Sequence, residues 1–492
     1  MNITEFLLEN ARNDNTAIMA GGIEYSYCDL RHAVGKLGLH LLSLDIHPGD
    51  RVGILAGNSF FGVVSYLAVM GLGGVAVPFA PVILPEDLRK NEQFVQCKAL
   101  CAERRYYKKY TQALSQHLPV IFEDLLAVPG ANQAPVITQV DENQDAALMF
   151  TSGTTAMPRV VRVTHKNIRA NTESIIASLG ITSEERILVI LPFYYCFGTS
   201  LLHTHLRIGG TLVLANNFIY PEIVLDLMDQ TACTAIAGVP STYQTLLRNT
   251  SFRKRIFPYL YKVQQAGGKL HEVLLKELID TLPQAEIFVM YGQTEATARL
   301  SCLPPEMLEL KLGSIGKGLP GVELSVVNEF NRPVEIGQVG EIIARGDNIS
   351  PGYLNNPQAT NEKFPGGVLR TGDLATVDRD GYITIVDRIS DFIKSQGYRI
   401  SSQEIESHVL SLPDIVSAAA VGEPDLIHGE AIHLFVTLRA GSPLQTNDIL
   451  AHCSRVMPRY MIPHQVSIIK KMPLNANWKI VKSLLKSKKI LE

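Results

Sequence analysis

Three changes of pattern along the sequence predict an α/β protein with a small C-terminal domain. From about Asp50 to Met290, short β-rich runs alternate with amphipathic helical segments, which is typical of open α/β sheets with ligands at the strand carboxyl ends. From Gly313 to Tyr382, Gly, Pro and Asn separate short apolar alternations, which predicts a small β-rich subdomain with hairpins. After Asp387, a polar crossing leads into roughly 100 residues that mix strands and helices, a normal size for a domain.

Apolar runs predict the individual elements of these regions. Buried strands are expected in the large region at residues 51–55, 146–150, 210–214, 235–239 and 285–290. The β-rich region has a clear alternation at residues 341–344. In the C-terminal region we expect strands at 417–421 and 433–437 and helices at 402–410 and 446–455.

One uncharged stretch, residues 60–84, is long enough to span a bilayer. Glycines from Gly71 onward, together with Pro78 and Pro81, interrupt its middle and its end. We therefore expect a buried helix, a glycine turn and a short strand at residues 75–77 rather than a membrane span.

Composition and charge exclude several classes of protein. The 492 residues include 46% hydrophobic and 19% charged side chains, which is typical of a globular enzyme. A net charge of −3 gives no electrostatic case for binding nucleic acid or an acidic membrane. The seven cysteines form no CxxC pair and no Cys/His metal spacing, and no signal peptide is visible. We therefore expect reduced thiols and a cytoplasmic location.

The segment TSGTTAMPRVVRVTHKN, residues 151–167, carries the strongest chemical signal. Hydroxyl and glycine residues follow the predicted strand at 146–150, and a helix-like segment comes after them. Backbone N–H groups and side-chain hydroxyls converge in such a turn, which suits a polyphosphate. No Gly-Lys-Ser/Thr closes the loop, so it is not a Walker motif, and a linker rich in Ser and Thr is the alternative.

Six segments, in order along the chain, resemble the motifs of the adenylate-forming superfamily, which includes acyl-CoA synthetases, aryl-CoA ligases and adenylation domains. Besides the loop at 151–161, they are AGGKL (266–270), YGQTEA (291–296), RTGDLATVDRDGYITIVDR (370–388), IKSQGYRISSQEIE (393–406) and PLNANWKIVK (473–482). The resemblance implies a large N-terminal domain of two α/β sheet subdomains plus a small β-rich subdomain, followed by a small mobile α+β C-terminal domain. We place these domains at 1–387 and 393–492, with a hinge at 388–392.

The resemblance also implies which residues bind ATP and Mg²⁺. They are Thr151, Ser152, Gly153, Thr154, Thr155 and Arg159 for the outgoing phosphates; Gly267, Gly268, Tyr291 and Gly292 for adenine; Thr294 for the α-phosphate; Glu295 for Mg²⁺; and Asp373 and Arg388 for the ribose hydroxyls. Each residue type also has a plain structural alternative. Glu295 could be a helix N-terminal acid and Asp373 a turn-capping aspartate.

Lys479 and the residues Lys394 and Gly397 are implied for two successive steps. The substrate carboxylate and the α-phosphate of ATP are both anions, so a cation has to stand where charge accumulates. The flexible ammonium of Lys479 is the expected adenylation catalyst, and a solvated lysine is the alternative. After a rotation of the C-terminal domain, Lys394 and Gly397 would face the thiol that attacks the acyl-adenylate.

The sequence departs from the usual phosphate loop at three positions. Ala156, Arg159 and Val160 stand where the family usually has glycine, lysine and glycine. Arginine keeps a cation, but alanine and a β-branched valine restrict the backbone, so we infer a stiffer loop.

Further departures lie near the predicted hinge and the terminal lysine. Asp387 replaces the glycine that usually precedes Arg388, and Ser390 stands where Asp or Lys is common. Trp478 is the only tryptophan and replaces the glycine before Lys479. Its ring either packs the lysine in place or obstructs it.

The segment LPFYYCFGTSLLHTHLRIGG, residues 191–210, corresponds to the motif that lines the acyl pocket. Relatives that activate amino acids usually place an aspartate here, but this segment holds no acid. We therefore expect a small carboxylic acid without a free α-amino group. The pocket candidates are Tyr195, Cys196, Phe197, Gly198, Ser200 and Gly238, although such residues more often pack in a core.

The resemblance implies an ATP-dependent acid–thiol ligase whose acceptor is CoA or the phosphopantetheine of an acyl carrier protein. A thioester-forming ligase with weakened adenylation is one alternative. A non-catalytic paralogue that binds nucleotide or a carrier protein is another. The joint presence of Glu295, Asp373, Arg388 and Lys479 argues against the paralogue, because binding alone does not need the lysine.

Overall fold

The structure is a computed structural model that describes residues 1–114, 118–127, 133–151, 159–216, 218–388, 391–425 and 427–486. The predicted phosphate-loop residues Ser152, Gly153, Thr154 and Thr155, with Ala156, lie outside the described residues. Ser390 of the predicted hinge lies outside them as well.

Helices and strands alternate through most of the chain. The α-helices are α1 (Ile3–Leu8), α2 (Tyr27–Ser43), α3 (Phe60–Gly71), α4 (Pro85–Val95), α5 (Arg104–Tyr110), α6 (Asp124–Ala127), α7 (His165–Leu179), α8 (Cys196–Ile208), α9 (Pro221–Gln230), α10 (Pro240–Asn249), α11 (Glu272–Thr281), α12 (Pro357–Lys363), α13 (Ser402–Leu410), α14 (Thr446–Val456) and α15 (Lys482–Lys486). Short 3-10 helices cover Phe252–Lys254, Thr294–Ala296, Pro305–Met307, Pro365–Gly367 and Arg459–Met461. The strands are β1 (Thr16–Ala20), β2 (Ile23–Ser26), β3 (Arg51–Leu55), β4 (Val75–Pro78), β5 (Ala99–Ala102), β6 (Val120–Phe122), β7 (Asp145–Phe150), β8 (Val160–Thr164), β9 (Arg186–Val189), β10 (Thr211–Leu214), β11 (Ala235–Gly238), β12 (Lys262–Gln265), β13 (Glu286–Tyr291), β14 (Ser301–Leu303), β15 (Lys317–Gly318), β16 (Val322–Val327), β17 (Gly340–Gly346), β18 (Leu369–Val377), β19 (Ile383–Arg388), β20 (Ile393–Ser395), β21 (Tyr398–Ile400), β22 (Ile415–Asp425), β23 (Gly429–Leu438) and β24 (Gln465–Ile468).

Two large mixed sheets form the first part of the molecule within the described ranges. One has six strands in the order β6-β5-β3-β4-β7-β8, and the other has nine in the order β15-β14-β13-β12-β11-β9-β10-β1-β2. Their inner strands are parallel, and antiparallel pairing is confined to the edges. The predicted α/β class is therefore confirmed. The carboxyl ends of neighbouring parallel strands meet at one edge of a sheet, which is where loops can build a common site.

The uncharged stretch at residues 60–84 forms the buried helix α3 and the buried strand β4, as predicted. α3 begins at the cap Ser59, whose hydroxyl accepts a hydrogen bond from the N–H of Gly62, and it packs against α1 and α2. No helix in the described part of the chain is long and apolar enough to cross a membrane.

A four-stranded antiparallel sheet, β16-β17-β18-β19, forms the predicted β-rich subdomain. The C-terminal residues form the sheet β21-β20-β23-β22, with β24 beside β23, and helices α13 and α14. This is the α+β pattern expected of the small domain. All seven cysteines are free.

The strand β8 was not predicted. Val160 pairs with Phe150 of β7, so the phosphate-loop segment connects the two strands of a hairpin. A β-branched residue suits a strand, which explains why valine is tolerated where the family has glycine. The expected helix follows as α7, with Thr164 and Asn167 forming a reciprocal capping box.

Helix α13 is held at both ends by side chains from outside the C-terminal sheet. Asp387, at the end of β19, is buried and accepts hydrogen bonds from the hydroxyl of Ser401 at 2.9 Å and the N–H of Ser402 at 3.0 Å. At the other end, Arg248 of α10 donates from Nη2 to the carbonyl of Leu410 at 3.0 Å. An acid at the helix N-terminus and a cation at its C-terminus match the helix dipole.

We expect Arg248→Met to weaken the contact between the C-terminal end of α13 and helix α10. Methionine keeps an apolar stem but removes donors to the carbonyls at the end of α13, a loss of about 1–3 kcal/mol. Trp478 packs against Phe218 with ring centroids 6.0 Å apart, so the fluorescence of this single tryptophan reports the seating of the C-terminal residues. The expected result is red-shifted emission and stronger quenching by acrylamide.

Arg253→Met is the matched control for this experiment. Arg253 is more exposed than Arg248 but pairs with the same carboxylate, Glu277, at 3.8 Å. Equal quenching in the two variants would show that Arg248 does not hold α13 in place.

Candidate active site

A cavity of about 760 Å³, part of which is open to solvent, lies where the nine-stranded sheet, the four-stranded sheet and the C-terminal residues meet. Its described lining is Gln265, Gly267, Gly268, Lys269, Leu270, Leu275, Val289, Met290, Tyr291, Gly292, Gly313, Ser314, Ile315, Asp373, Ile385, Arg388, Gln403 and Lys479. Seven predicted site residues are in this set, although they come from four separate motifs: Gly267, Gly268, Tyr291, Gly292, Asp373, Arg388 and Lys479. The carboxyl ends of the parallel neighbours β12 and β13 supply the first four of these residues: Tyr291 is the last residue of β13, and the three glycines lie in the loops that follow the two strands.

Asp373 is the buried acid of this cavity, and two side chains hold it. The register of β18 and β19 places Asp373 opposite Arg388, whose Nε donates to Oδ1 at 3.0 Å. The Tyr291 hydroxyl donates to Oδ2 at 2.5 Å. Burial and the nearby Asp373 carboxylate raise the pKa of Tyr291 well above its usual value, so the phenol stays protonated. Each carboxylate oxygen keeps acceptor capacity for a ligand hydroxyl.

Glu295 lies in the short 3-10 helix that follows β13. The Tyr353 hydroxyl donates to Glu295 Oε1 at 2.8 Å. Burial raises the pKa of Tyr353, and the nearby Glu295 carboxylate raises it further. Arg159 acts to lower this pKa, so the arginine lies close to the same hydroxyl. The N–H of Thr151 donates to the Arg159 carbonyl at 3.0 Å, so these two residues lie close together. These contacts bring Thr151, Arg159 and Glu295 to one side of the site.

Lys479 enters the cavity from a tight loop near the C-terminus. Its N–H donates to the side chain of Asn475 at 3.0 Å, and Asn475 donates from its own N–H to the Lys479 carbonyl at 2.9 Å. The ammonium Nζ lies 5.3 Å from the centroid of the Tyr195 ring. At Gly267, which has φ +87°, a Cβ atom would lie 2.8 Å from the Tyr195 hydroxyl, so this close approach requires glycine.

Trp478 packs the lysine loop in place rather than obstructing it. Its ring meets Phe218 edge-on, and the hydroxyl of Ser241 donates to its carbonyl at 2.6 Å. The Tyr194 hydroxyl donates to the neighbouring carbonyl of Ala476 at 3.1 Å. Trp478 has φ +62°, a left-handed conformation that costs a non-glycine residue about 1 kcal/mol.

The predicted acyl-pocket residues cluster at the start of α8. Tyr195, Cys196 and Phe197 are all buried. The Ser200 hydroxyl donates to the Phe197 carbonyl at 2.7 Å, so it is used inside the helix. A Cβ atom at Gly198 would lie 2.2 Å from the Pro192 carbonyl oxygen, which gives this glycine a packing role.

Two groups of predicted residues lie behind or away from the cavity wall. Gly238 ends β11, and a Cβ atom there would lie 2.9 Å from Thr242 Cγ2. Lys394 and Gly397 lie in and after β20, both are exposed, and neither is among the described residues that line the cavity. The Thr294 hydroxyl lies 3.5 Å from Cys196 Sγ, between the cavity and the acyl-pocket candidates.

Several residues of the site were missed in the sequence. Tyr353 and Lys363 lie outside the motifs, and Lys363 reaches the same region: burial lowers its pKa, while Glu295 and Asp373 act to raise it. Arg299 follows the YGQTEA segment closely and is a lone charge among uncharged residues, which could have drawn attention to it. Nothing in the sequence marks Tyr353.

Comparisons with known proteins agree along nearly the whole chain. The family described as AMP-binding enzyme matches residues 8–354, and the AMP-binding enzyme C-terminal domain matches residues 404–479. A feruloyl-CoA synthase from Amycolatopsis sp is 29% identical, over 95% of this chain and 94% of its own. A 2-succinylbenzoate–CoA ligase from Bacillus pumilus is 30% identical, over 97% of this chain and 96% of its own. The structure of o-succinylbenzoate CoA synthetase from Bacillus subtilis, in complex with its acyl-adenylate intermediate, superposes with a TM-score of 0.86 at 26% identity and covers 98% of both chains.

Proposed function

This chain belongs to the AMP-binding enzyme family and is an acid–thiol ligase, and from that premise we propose how its own residues carry the reaction. In the first step the acid carboxylate attacks the α-phosphorus of ATP, an acyl-adenylate forms and pyrophosphate leaves. In the second step the thiol attacks the acyl carbonyl, a thioester forms and AMP leaves. We propose that the first step takes place in the cavity of about 760 Å³ described above.

The observation that carries this proposal is that Lys479 lines the same cavity as Asp373, Arg388 and Tyr291. Asp373 would accept hydrogen bonds from the ribose hydroxyls, and Arg388 would add a donor to the sugar. Tyr291 would pack on the adenine ring, with Gly267 near the base edge. In this placement the acyl carboxylate and the α-phosphate meet near Lys479, whose ammonium offsets the charge that builds up as the bond forms.

Glu295 is proposed to hold Mg²⁺. No group of three or more His, Cys, Asp or Glu side chains that could hold a metal occurs among the described residues. Mg²⁺ typically takes one or two carboxylates and completes its shell with phosphate oxygens and water, so a single acid fits an ion that arrives with ATP. When bound, the ion would neutralise phosphate charge, and Tyr353 would keep the Glu295 carboxylate oriented through its hydrogen bond. The Thr294 hydroxyl would bond the α-phosphate.

The acid is proposed to lack a free α-amino group. Segment 191–210 holds no acidic residue, and the acid among the described cavity residues is Asp373. Arg388 and Tyr291 already occupy one position on each of its carboxylate oxygens. An α-ammonium group would therefore find no acid of its own to pair with here, and its desolvation would be costly.

CoA is the proposed acceptor, and Lys394 and Gly397 are proposed to face its pantetheine arm after the C-terminal domain has rotated. Both residues lie outside the cavity lining, which fits a role in a step that follows adenylation. The phosphopantetheine of an acyl carrier protein presents the same arm. Comparing thioester formation with CoA and with a holo carrier protein distinguishes the two acceptors.

The altered phosphate loop remains compatible with adenylation. Val160 lies in the ladder of β7 and β8, where its branched side chain is favourable, and Arg159 lies near the Tyr353 hydroxyl beside Glu295. We therefore favour an enzyme that carries out both steps over one that has lost adenylation. A location in the cytoplasm is part of the proposal, because seven free cysteines suit a reducing compartment.

Lys479→Ala is expected to lower the rate of ATP–pyrophosphate exchange by about 100- to 1,000-fold, since a cation is removed from the position where charge accumulates. Thioester formation from a synthetic acyl-adenylate and CoA should change little. Lys486→Ala, at an exposed lysine that ends α15, is the matched control. If Lys479→Ala kept full exchange activity, the proposed role of Lys479 would be wrong.

Trp478→Gly is expected to slow exchange by about tenfold, because the loop loses its contact with Phe218, an effect near 1.4 kcal/mol. Glycine also removes the positive-φ strain of Trp478, which offsets part of the lost packing, so the unfolding temperature should change little. Trp478→Phe keeps an aromatic contact and serves as the control. Faster exchange in the glycine variant would mean that the indole ring obstructs Lys479.

A further inference from the structure

Arg299 is a buried cation without an anionic partner in the described part of the chain. Its side chain is fully enclosed, with a relative exposure of 2% for the residue. The guanidinium carbon lies 3.7 Å from the centroid of the Phe197 ring, and Nε donates to Met290 Sδ at 3.4 Å. Nη2 has no hydrogen-bond partner among the described atoms. Burial lowers the pKa of Arg299 to about 10, so the side chain is still charged near neutral pH.

The backbone of Arg299 is fixed by two buried asparagines. Asn171 accepts a hydrogen bond from the Arg299 N–H at 3.1 Å and donates to its carbonyl at 2.9 Å. Asn348 donates to the same carbonyl at 2.9 Å. Three hydrogen bonds thus fix the backbone of this residue, while Nη2 of its guanidinium has no partner among the described atoms.

An unpaired buried charge is costly, and buried arginines in proteins are usually paired with a carboxylate. The Phe197 ring supplies a cation–π contact, which offsets only part of this cost. Such a group is stabilised when a ligand brings an acceptor to it. A planar guanidinium matches the two oxygens of a carboxylate particularly well.

Arg299 is not among the described residues that line the cavity, but it contacts residues of the cavity wall and of the predicted acyl pocket. Its neighbours Met290 and Phe197 belong to the cavity wall and to the predicted acyl pocket. Tyr195 connects the two cations, because its ring lies 5.3 Å from Lys479 Nζ and 6.3 Å from the Phe197 ring. Lys479 and Arg299 both act to lower the pKa of Cys196, which burial raises, so the thiol is close to both cations.

We propose that Arg299 binds a second carboxylate of the substrate, so that the acid activated by this enzyme is a dicarboxylic acid. This inference rests on the proposed function, since it assigns one carboxylate to the reaction at Lys479 and the other to recognition at Arg299. The Tyr195 and Phe197 rings between the two cations would pack on an apolar or aromatic spacer. A monocarboxylic acid of the same shape would leave the guanidinium buried and unpaired.

The test compares matched pairs of acids by ATP–pyrophosphate exchange and by thioester formation with CoA. The pairs are a series of straight-chain diacids, each with the monoacid of equal chain length, and benzene-1,4-dicarboxylic acid with benzoic acid. For the best pair, we expect wild-type kcat/KM to favour the diacid by about 100-fold or more, as for a site built to pair with a polar group.

Arg299→Met should abolish this preference by raising the KM for the diacid, with the KM for ATP changed little. Arg299→Lys keeps the charge and should retain an intermediate preference. If the arginine had a merely structural role, the variant would instead lower the rates with both acids of a pair by the same factor. It would also lower the unfolding temperature of the protein.

Two results overturn the inference and are distinguishable. If wild-type enzyme uses the monoacids as well as or better than the diacids, and exchange still depends on Lys479, Arg299 does not select a second carboxylate and the proposed ligase function stands. If no acid supports Lys479-dependent exchange, the proposed function fails and the inference fails with it. The wild-type comparison is decisive even if Arg299→Met does not fold.

Discussion

The position of Lys479 depends on the contacts that hold helix α13 against the large domain. The terminal loop is tied to this helix by Lys482, whose Nζ donates to the Ser402 hydroxyl at 2.6 Å and pairs with Glu406 at 2.7 Å. The helix is in turn held by Asp387 at its N-terminus and Arg248 at its C-terminus. A chain of buried polar contacts therefore runs from the large domain to the loop that carries the lysine. Because each contact is desolvated, removing one leaves an unsatisfied partner, and the whole arrangement is sensitive to a single change.

The same contacts oppose the rotation that is proposed to precede the second step. Any movement of α13 away from β19 separates Asp387 from Ser401 and Ser402, and any movement away from α10 separates Arg248 from Leu410. Glycine at position 387, as the family usually has, could not make the first set of bonds. Aspartate therefore biases this chain toward the orientation that places Lys479 in the cavity. If the domain rotates as proposed, a ligand can drive its release only through contacts that differ between the two orientations, and the departure of pyrophosphate would change such contacts.

The fold class and most of the cavity could be predicted because they depend on local patterns. Apolar runs and the glycines and prolines that interrupt them located β3 and α3 in their observed places. The motifs named Asp373, Arg388 and Lys479, which the structure brings to one cavity. The roles proposed for Ser152 to Thr155 stay predictions, since those residues lie outside the described ranges. Arg248 could not be predicted, because its importance arises from burial against helix α13, a segment more than 150 residues away. Strand β8 was missed because glycine and hydroxyl residues before it suggested a longer loop.

The distribution of charge around the cavity favours a substrate that brings negative charge. Asp373, the acid of the described lining, is already paired with Arg388, whereas neither Lys479 nor Arg299 forms an ion pair with an acid among the described residues. The region around Tyr195 and Cys196 therefore faces two cations, and Glu295, the acid that also acts on Cys196, is the residue proposed to bind Mg²⁺. ATP accounts for one excess positive charge at Lys479, because its phosphate and the reacting carboxylate meet there. It does not account for the charge at Arg299, which is stacked on Phe197 at the acyl side. A substrate with a carboxylate at each end would pair with both cations, whereas a monocarboxylic acid would pair only with Lys479.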